Sequence, residues 1–318
     1  AHLHDGAPTR LSTHSRLPWV MVRMGQPTRH PYRNGTAKTI LMFALVQHIL
    51  PKRLLSRFIG VFAVVRWPLL KNILIRSFIR SYAVDMSTSK RKTPEEFETF
   101  ADFFSRELKP DLRPIPSDSK TITSPVDGVV SQSGIIQRGK LLQAKGHTYS
   151  VAELIGQNCT DLDGGSFLTL YLDPSMYHRV HAPIDAILSK TIEIPGKLFS
   201  VNGQSVHGIP NLFCRNERLV CSLQTDTGVV RLVMVGALIV ASITTSWPGP
   251  RSPYRRRVER LPHDVQFSRA EEMARFTLGS TAIVLIPPSF GVLDSFEPDS
   301  PIKMGEHIGF KHDRTERP

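Results

Sequence analysis

The sequence predicts an α+β protein, with a helical, amphipathic N-terminal region and a mostly β body. Three observations carry that reading. Apolar residues recur at helical spacing up to about residue 86. Short β-rich runs separated by Gly, Pro, Asn and Asp fill the chain after about residue 110. The charge is divided between the same two parts: residues 1–90 hold fourteen basic residues against Asp5 and Asp85, which accounts for the whole net charge of +12.

Residues 1–37 mix Pro, His, Arg, Ser and Thr with little periodicity, and are expected to be a disordered leader or an extension. Their Arg-rich, acid-poor character also suits a transit peptide. Residues 38–110 form the second region. Leu54, Leu55, Phe58, Ile59 and Phe62 make one apolar stripe, and Leu70, Ile73, Leu74 and Phe78 a second, with Lys52, Arg53, Arg57, Lys71, Arg76 and Arg80 beside them. Pro51 and Pro68 mark breaks. Such helices can lie in a membrane interface while Lys and Arg stems reach the headgroups, or they can form a layer packed on the body. Residues 94–108 predict one further helix, with Thr93 as N-cap and acids in its first turn.

Residues 111–318 form the β-rich domain. Strands are expected at Gly128–Val130, Phe167–Leu172, Ala186–Ile194, Leu219–Leu223, Val229–Val235, Ile239–Thr244 and Thr281–Ile286, and a basic loop at Pro248–His263. Cys159, Cys214 and Cys221 form no C-x-x-C pair and are an odd set, which argues against a disulfide framework; they read as small buried hydrophobes. No apolar run reaches the ~18–20 residues needed to span a bilayer. The basic leader argues for an anionic surface. Nucleic acid fits less well, because the basic residues lie among Leu, Ile and Phe.

Three patterns carry chemistry. Asp127 stands in Ser124-Pro-Val-Asp-Gly128, where an Asp in a Pro/Gly turn is usually structural. His178 and His181 stand in YHRVHAP at 177–183. They lack partners for a zinc site and suit acid–base work near neutral pH, so no metal is expected. Gly279-Ser280 leads into an apolar strand, without the G-x-S-x-G of a nucleophile elbow. Together Asp127, His181 and Ser280 supply an acid, a base and a nucleophile. A conventional serine hydrolase and a non-catalytic membrane-binding protein remain as alternatives.

SPVDG (124–128), KGHTYS (145–150), YHRVHAP, LFSVNG (198–203), NLFCRNER (211–218), EEMARFTLGST (271–281) and KMGEHIG (303–309), in that order, resemble the motifs of the bacterial and mitochondrial phosphatidylserine decarboxylases. The resemblance spans about residues 38–312. It implies a proenzyme that cuts itself between Gly279 and Ser280 into a β chain of residues 1–279 and an α chain of residues 280–318, which stay associated. Asp127 would orient His181, His181 would take the Ser280 proton, and Ser280 would become a covalent pyruvoyl cofactor. That ketone would accept electrons as CO₂ leaves phosphatidylserine, giving phosphatidylethanolamine, with His178 serving decarboxylation or reprotonation. The resemblance further implies phosphatidylserine in membranes as the partner, no nucleic acid, and a location peripheral to the cytoplasmic face of a bacterial inner membrane or to the mitochondrial inner membrane; it also allows a homodimer. Two runs depart from the family pattern. Gly-Ala-Thr-x-Val-Gly reads Gly236-Ala237-Leu238-Ile239-Val240-Ala241, and Lys-Gly-x-Glu-Met-Gly reads Arg269-Ala270-Glu271-Glu272-Met273-Ala274.

Overall fold

The computed structural model describes residues 60–144, 146–237, 243–249, 253–261, 265–277 and 280–312. The leader, the 38–59 part of the amphipathic region, Lys145, Ile239–Ala241, Leu278 and Gly279 lie outside them.

Seventeen strands are described. In chain order they are β1 (Thr121–Thr123), β2 (Gly128–Ile135), β3 (Lys140–Ala144), β4 (His147–Ser150), β5 (Ser166–Leu172), β6 (Arg179–His181), β7 (Ala186–Ile194), β8 (Arg218–Gln224), β9 (Val229–Gly236), β10 (Ile243–Thr245), β11 (Val258–Arg260), β12 (Val265–Phe267), β13 (Glu272–Phe276), β14 (Ser280–Ile286), β15 (Gly291–Leu293), β16 (Pro301–Ile302) and β17 (His307–Lys311). Nine of them form one antiparallel sheet, ordered β11-β7-β8-β9-β14-β5-β2-β16 with β12 also paired to β7. Two three-stranded sheets, β1-β17-β15 and β10-β13-β6, and the β3-β4 hairpin complete the β structure.

The strand-forming runs are almost continuously apolar because both faces of the large sheet are covered. On β14, Ala282, Val284 and Ile286 enter one core with Leu168, Leu170, Leu232, Val180, Met273 and Phe276. Ile283 and Leu285 enter the other, with Val233, Val235, Phe167, Tyr149 and Phe213. The alternation follows from the two-residue period of a strand. All seven residues of β14 are buried.

A third cluster lies under the helix α1 (Pro68–Tyr82). It holds Ile75, Val84, Phe97, Phe100, Phe103 and Phe104, with Leu74, Phe78 and Ile79 packed against it. Two expectations for this region are corrected by the structure. Residues 94–108 are not one helix: a short 3₁₀ turn at Pro94–Glu96 is followed by extended Phe97, and α2 (Phe100–Phe104) starts afresh. Thr93 and Glu96 close a capping box on the first turn, while Thr99 caps α2 by accepting from the Asp102 amide at 3.0 Å. Lys71 is not a headgroup-facing base but is buried, its Nζ donating to the carbonyls of Pro94 (3.0 Å) and Phe97 (2.5 Å). The basic stretch Pro248–His263 also contains β11, which adds to the edge of the large sheet through β7.

Candidate active site

Ser280 opens β14 and is fully buried, paired across the ladder with Leu172 on β5 and Gly236 on β9. Alternation puts its side chain on the face of Ala282 and Val284, the face covered by β6 and β13. Its hydroxyl has no hydrogen-bond partner among the described residues. A buried hydroxyl normally finds a partner, but those of Ser89, Ser131, Thr169 and Thr281 lack one among the described residues as well, so the missing partner alone does not mark a site.

Asn216 supports that strand from NLFCRNER. Its side-chain amide donates to the carbonyls of Phe199 (2.8 Å) and Gly236 (2.9 Å) and accepts from the Phe199 amide (3.0 Å). LFSVNG is thereby tied to the residue facing Ser280. Gln143 does the same next to KGHTYS, donating to Val206 (2.7 Å) and Ile209 (2.9 Å) and accepting from the Leu212 amide (3.0 Å).

YHRVHAP runs along β6. The Phe276 amide donates to the His178 carbonyl at 2.9 Å, so the histidine sits four residues from Ser280 by way of β13. His178 is fully buried against the ring of Phe104, with centroids 4.1 Å apart. Its Nδ1–H donates to the Met176 carbonyl at 2.9 Å, which leaves a lone pair on Nε2, and Nε2 has no partner among the described residues. Burial is the main cause that pushes this imidazole down to about 3, with the positive charge of Arg106 acting the same way, so it is neutral at working pH.

His181 differs. Its Nδ1–H donates to the Ala270 carbonyl at 2.7 Å, and its Nε2 accepts from the Tyr177 hydroxyl at 2.9 Å. Burial again lowers its proton affinity. Asp127 is in the adjoining segment, since the His181 amide donates to the Pro125 carbonyl at 2.8 Å. Its carboxylate takes Arg113 on both oxygens and accepts from the Met304 amide at 2.8 Å. KMGEHIG therefore cradles SPVDG: the Ser124 amide donates to Glu306 and the Gly305 amide to Ser124 as well. A Cβ on Gly128 would sit 3.0 Å from the Tyr171 carbonyl oxygen, which explains the glycine beside Asp127.

The structure thus brings Asp127, His178, His181 and Ser280 to neighbouring segments. In it Asp127 is bonded to Arg113 and His181 to Tyr177. Neither Arg113 nor Tyr177 is among the residues that the sequence patterns mark for chemistry. Arg113 follows a helix in a proline-rich stretch with nothing to mark it, whereas Tyr177 adjoins the histidines and could have been found by its place in the motif. Among the described residues no three His, Cys, Asp or Glu side chains cluster as metal ligands would. All three cysteines are free thiols, and burial pushes Cys214 up to about 12.

The profile of the family described as phosphatidylserine decarboxylase matches residues 100–310, and a second, described as PSD, matches residues 42–83. The phosphatidylserine decarboxylase proenzyme of Azotobacter vinelandii is 44% identical over 282 residues, covering 84% of this chain and 97% of that protein. The proenzyme so named from Bordetella avium is 42% identical over 285 residues, covering 86% and 96%. That of Hahella chejuensis is 42% identical over 275 residues, covering 84% and 93%.

Proposed function

The chain belongs to the phosphatidylserine decarboxylase family, a family of carboxy-lyases, and on that premise we propose that it is a pyruvoyl enzyme that makes its own cofactor by cutting the Gly279–Ser280 bond. The observation that carries this is the unpaired, fully buried Ser280 hydroxyl at the head of a central strand. What sets it apart from the other unpaired hydroxyls is that it heads β14 beside the segment that carries His178 and His181.

In the first stage His181 takes the Ser280 proton through Nε2, which requires the Tyr177 hydroxyl to yield that nitrogen. Asp127, held by Arg113 and the Met304 amide, keeps a negative charge beside the imidazolium that results. The Ser280 oxygen attacks the Gly279 carbonyl carbon and the peptide nitrogen leaves, giving an ester. Loss of the α proton expels the Gly279 carboxylate and leaves dehydroalanine. Its hydrolysis releases ammonia and leaves a pyruvoyl group at residue 280. Once formed, that ketone supplies an electron sink for decarboxylation of the serine headgroup. His178, neutral and with an open Nε2, is placed to guide a proton to or from the reacting carbon. Phe104 against its ring keeps water away, which favours loss of a carboxylate's charge as CO₂.

The substrate stays in its bilayer, so the enzyme works as a peripheral membrane protein. Val61, Val64, Trp67, Leu69 and Ile73 are each more than 60% exposed on and before α1, which supports that reading. Among the described residues no helix is long and apolar enough to cross a membrane.

Replacing Ser280 tests the proposal. Ser280→Ala should leave one uncut chain without decarboxylase activity, whereas the parent shows a chain of residues 280–318 with a blocked N-terminus by intact mass. Normal cleavage in the variant would sink the mechanism.

A further inference from the structure

Arg106 follows α2 and has no part in the chemistry assigned to Ser280, His181 and His178. Its residue is 2% exposed, yet two of its guanidinium nitrogens, Nε and Nη1, have no hydrogen-bond partner among the described residues. Nη2 donates to the Ser175 carbonyl at 2.7 Å, and the guanidinium lies over the ring of Phe103, 5.6 Å from its centroid. Ser175 belongs to the turn that leads into YHRVHAP, and Phe104, two residues before Arg106, packs on His178. The charge is close enough to His178 to lower its proton affinity.

The nearest carboxylates do not neutralise it. Asp127 is bonded to Arg113, and Asp85 accepts from the Ser87 amide at 2.9 Å, although both carboxylates act on Arg106 through space. Burial lowers its proton affinity to about 10, so it stays charged at neutral pH. A buried cation with two unpaired nitrogens is costly unless an anion completes it. Arg106 follows α2, whose Phe104 packs on His178, and the His178 carbonyl accepts from Phe276, four residues before Ser280, so the three unpaired groups lie on adjoining segments.

We propose that Arg106 holds the phosphodiester of the lipid headgroup, through the free N–H groups on Nε and Nη1, beside the reacting centre. The inference rests on the function proposed above. The substrate carries two anions, and the chemistry chooses between them. A carboxylate paired to an arginine would be stabilised in the ground state and lose that stabilisation as CO₂ forms, which raises the barrier. The phosphodiester keeps its charge throughout, so binding it costs the chemical step nothing.

The test uses short-chain, water-soluble lipids and the processed enzyme. Arg106→Gln should still cut itself. It should raise KM for dihexanoyl phosphatidylserine by about ten- to a hundredfold, the range expected for a charge-assisted hydrogen bond, with kcat within about threefold of the parent. The same variant should weaken binding of dihexanoyl phosphatidylethanolamine, which has the phosphodiester and no carboxylate, by a similar factor. Arg106→Lys should recover part of both. An unchanged affinity for the ethanolamine lipid together with a fall in kcat would assign Arg106 to the carboxylate and overturn the proposal; so would an unchanged KM. Should Arg106→Gln be insoluble, the two constants measured on Arg106→Met decide, a loss of under twofold in both counting against. Failure of the parent enzyme itself to cut or to decarboxylate would instead refute the function on which the proposal rests.

Discussion

His178 and His181 stand three residues apart yet meet different surroundings. His181 has both ring nitrogens engaged, by Ala270 and Tyr177, whereas Nε2 of His178 is buried and has no partner among the described residues. His181→Ala should therefore block self-cutting, because it removes the base for Ser280. His178→Ala should still cut, at least partly, and lose decarboxylation; a gel and a CO₂-release assay on both variants check it, and the reverse pattern would exchange the roles. Ala270 carries a second residue-scale consequence. Its backbone is left-handed, with φ 66°, where the family pattern has glycine, and its carbonyl holds His181. The left-handed conformation costs a residue with a Cβ roughly 1–2 kcal/mol, and glycine loses roughly 0.5–1 kcal/mol more entropy on folding. Ala270→Gly should thus raise stability by about 0.5–1 kcal/mol, as chemical denaturation in the uncut Ser280→Ala background would show, and with Ser280 retained it should cut no more slowly than the parent on a gel. The motif letters carry the expectation for Asp127, the histidines and Ser280, and the fold brings their segments together. Arg113 and Arg106 are not legible, because their partners are brought near only by the fold, whereas Tyr177 stands in the same motif as His181 and could be read there.

At the scale of the element, α1 has two faces with different work. Inward, Lys71 and Ile75 seal the aromatic cluster that ends in Phe104 and His178. Outward, Trp67, Leu69 and Ile73 are 62%, 67% and 62% exposed. Periodicity made the helix legible but not the assignment of its faces, because Lys71 lies inward only by virtue of carbonyls offered by Pro94 and Phe97. The basic residues are also less available than a count suggests. Arg66 pairs with Glu98 at 3.1 Å, Lys90 with Glu107 at 2.9 Å, and Arg76 with Glu95. Exposed pairs of this kind contribute little to stability, about 0–1 kcal/mol each, yet they reduce the charge offered to a membrane. Membrane binding by this element should therefore depend on apolar insertion more than on salt. Replacing Trp67, Leu69 and Ile73 together by Ser should weaken flotation with anionic vesicles at least tenfold, since each side chain fully withdrawn from water is worth about 1.5–3 kcal/mol. Equal flotation of parent and variant would leave α1 as a packed layer only.

For the whole molecule, the strand order decides whether the two chains stay together after the proposed cut. Most strands of the large sheet are legible in the sequence within a residue or two, because their apolar runs are dictated by burial on both faces. Their order is not legible, since long-range pairing leaves no local trace; β14 lies between β5 and β9, and β5 is more than one hundred residues away in sequence. Cutting before Ser280 would make β14 the first strand of the small chain. It would remain hydrogen-bonded on both sides, with Ile283, Val284, Leu285 and Ile286 fully buried. Those four side chains alone account for about 6–12 kcal/mol of burial. The same small chain supplies β16 to β2, and β17 to β1, so it is woven into the body at three places. The two chains should consequently co-elute as one species through gel filtration in native buffer, and part only in denaturant, in a single transition with loss of the sheet. A small chain that separates in native buffer would mean that β14 does not keep its central place after the cut.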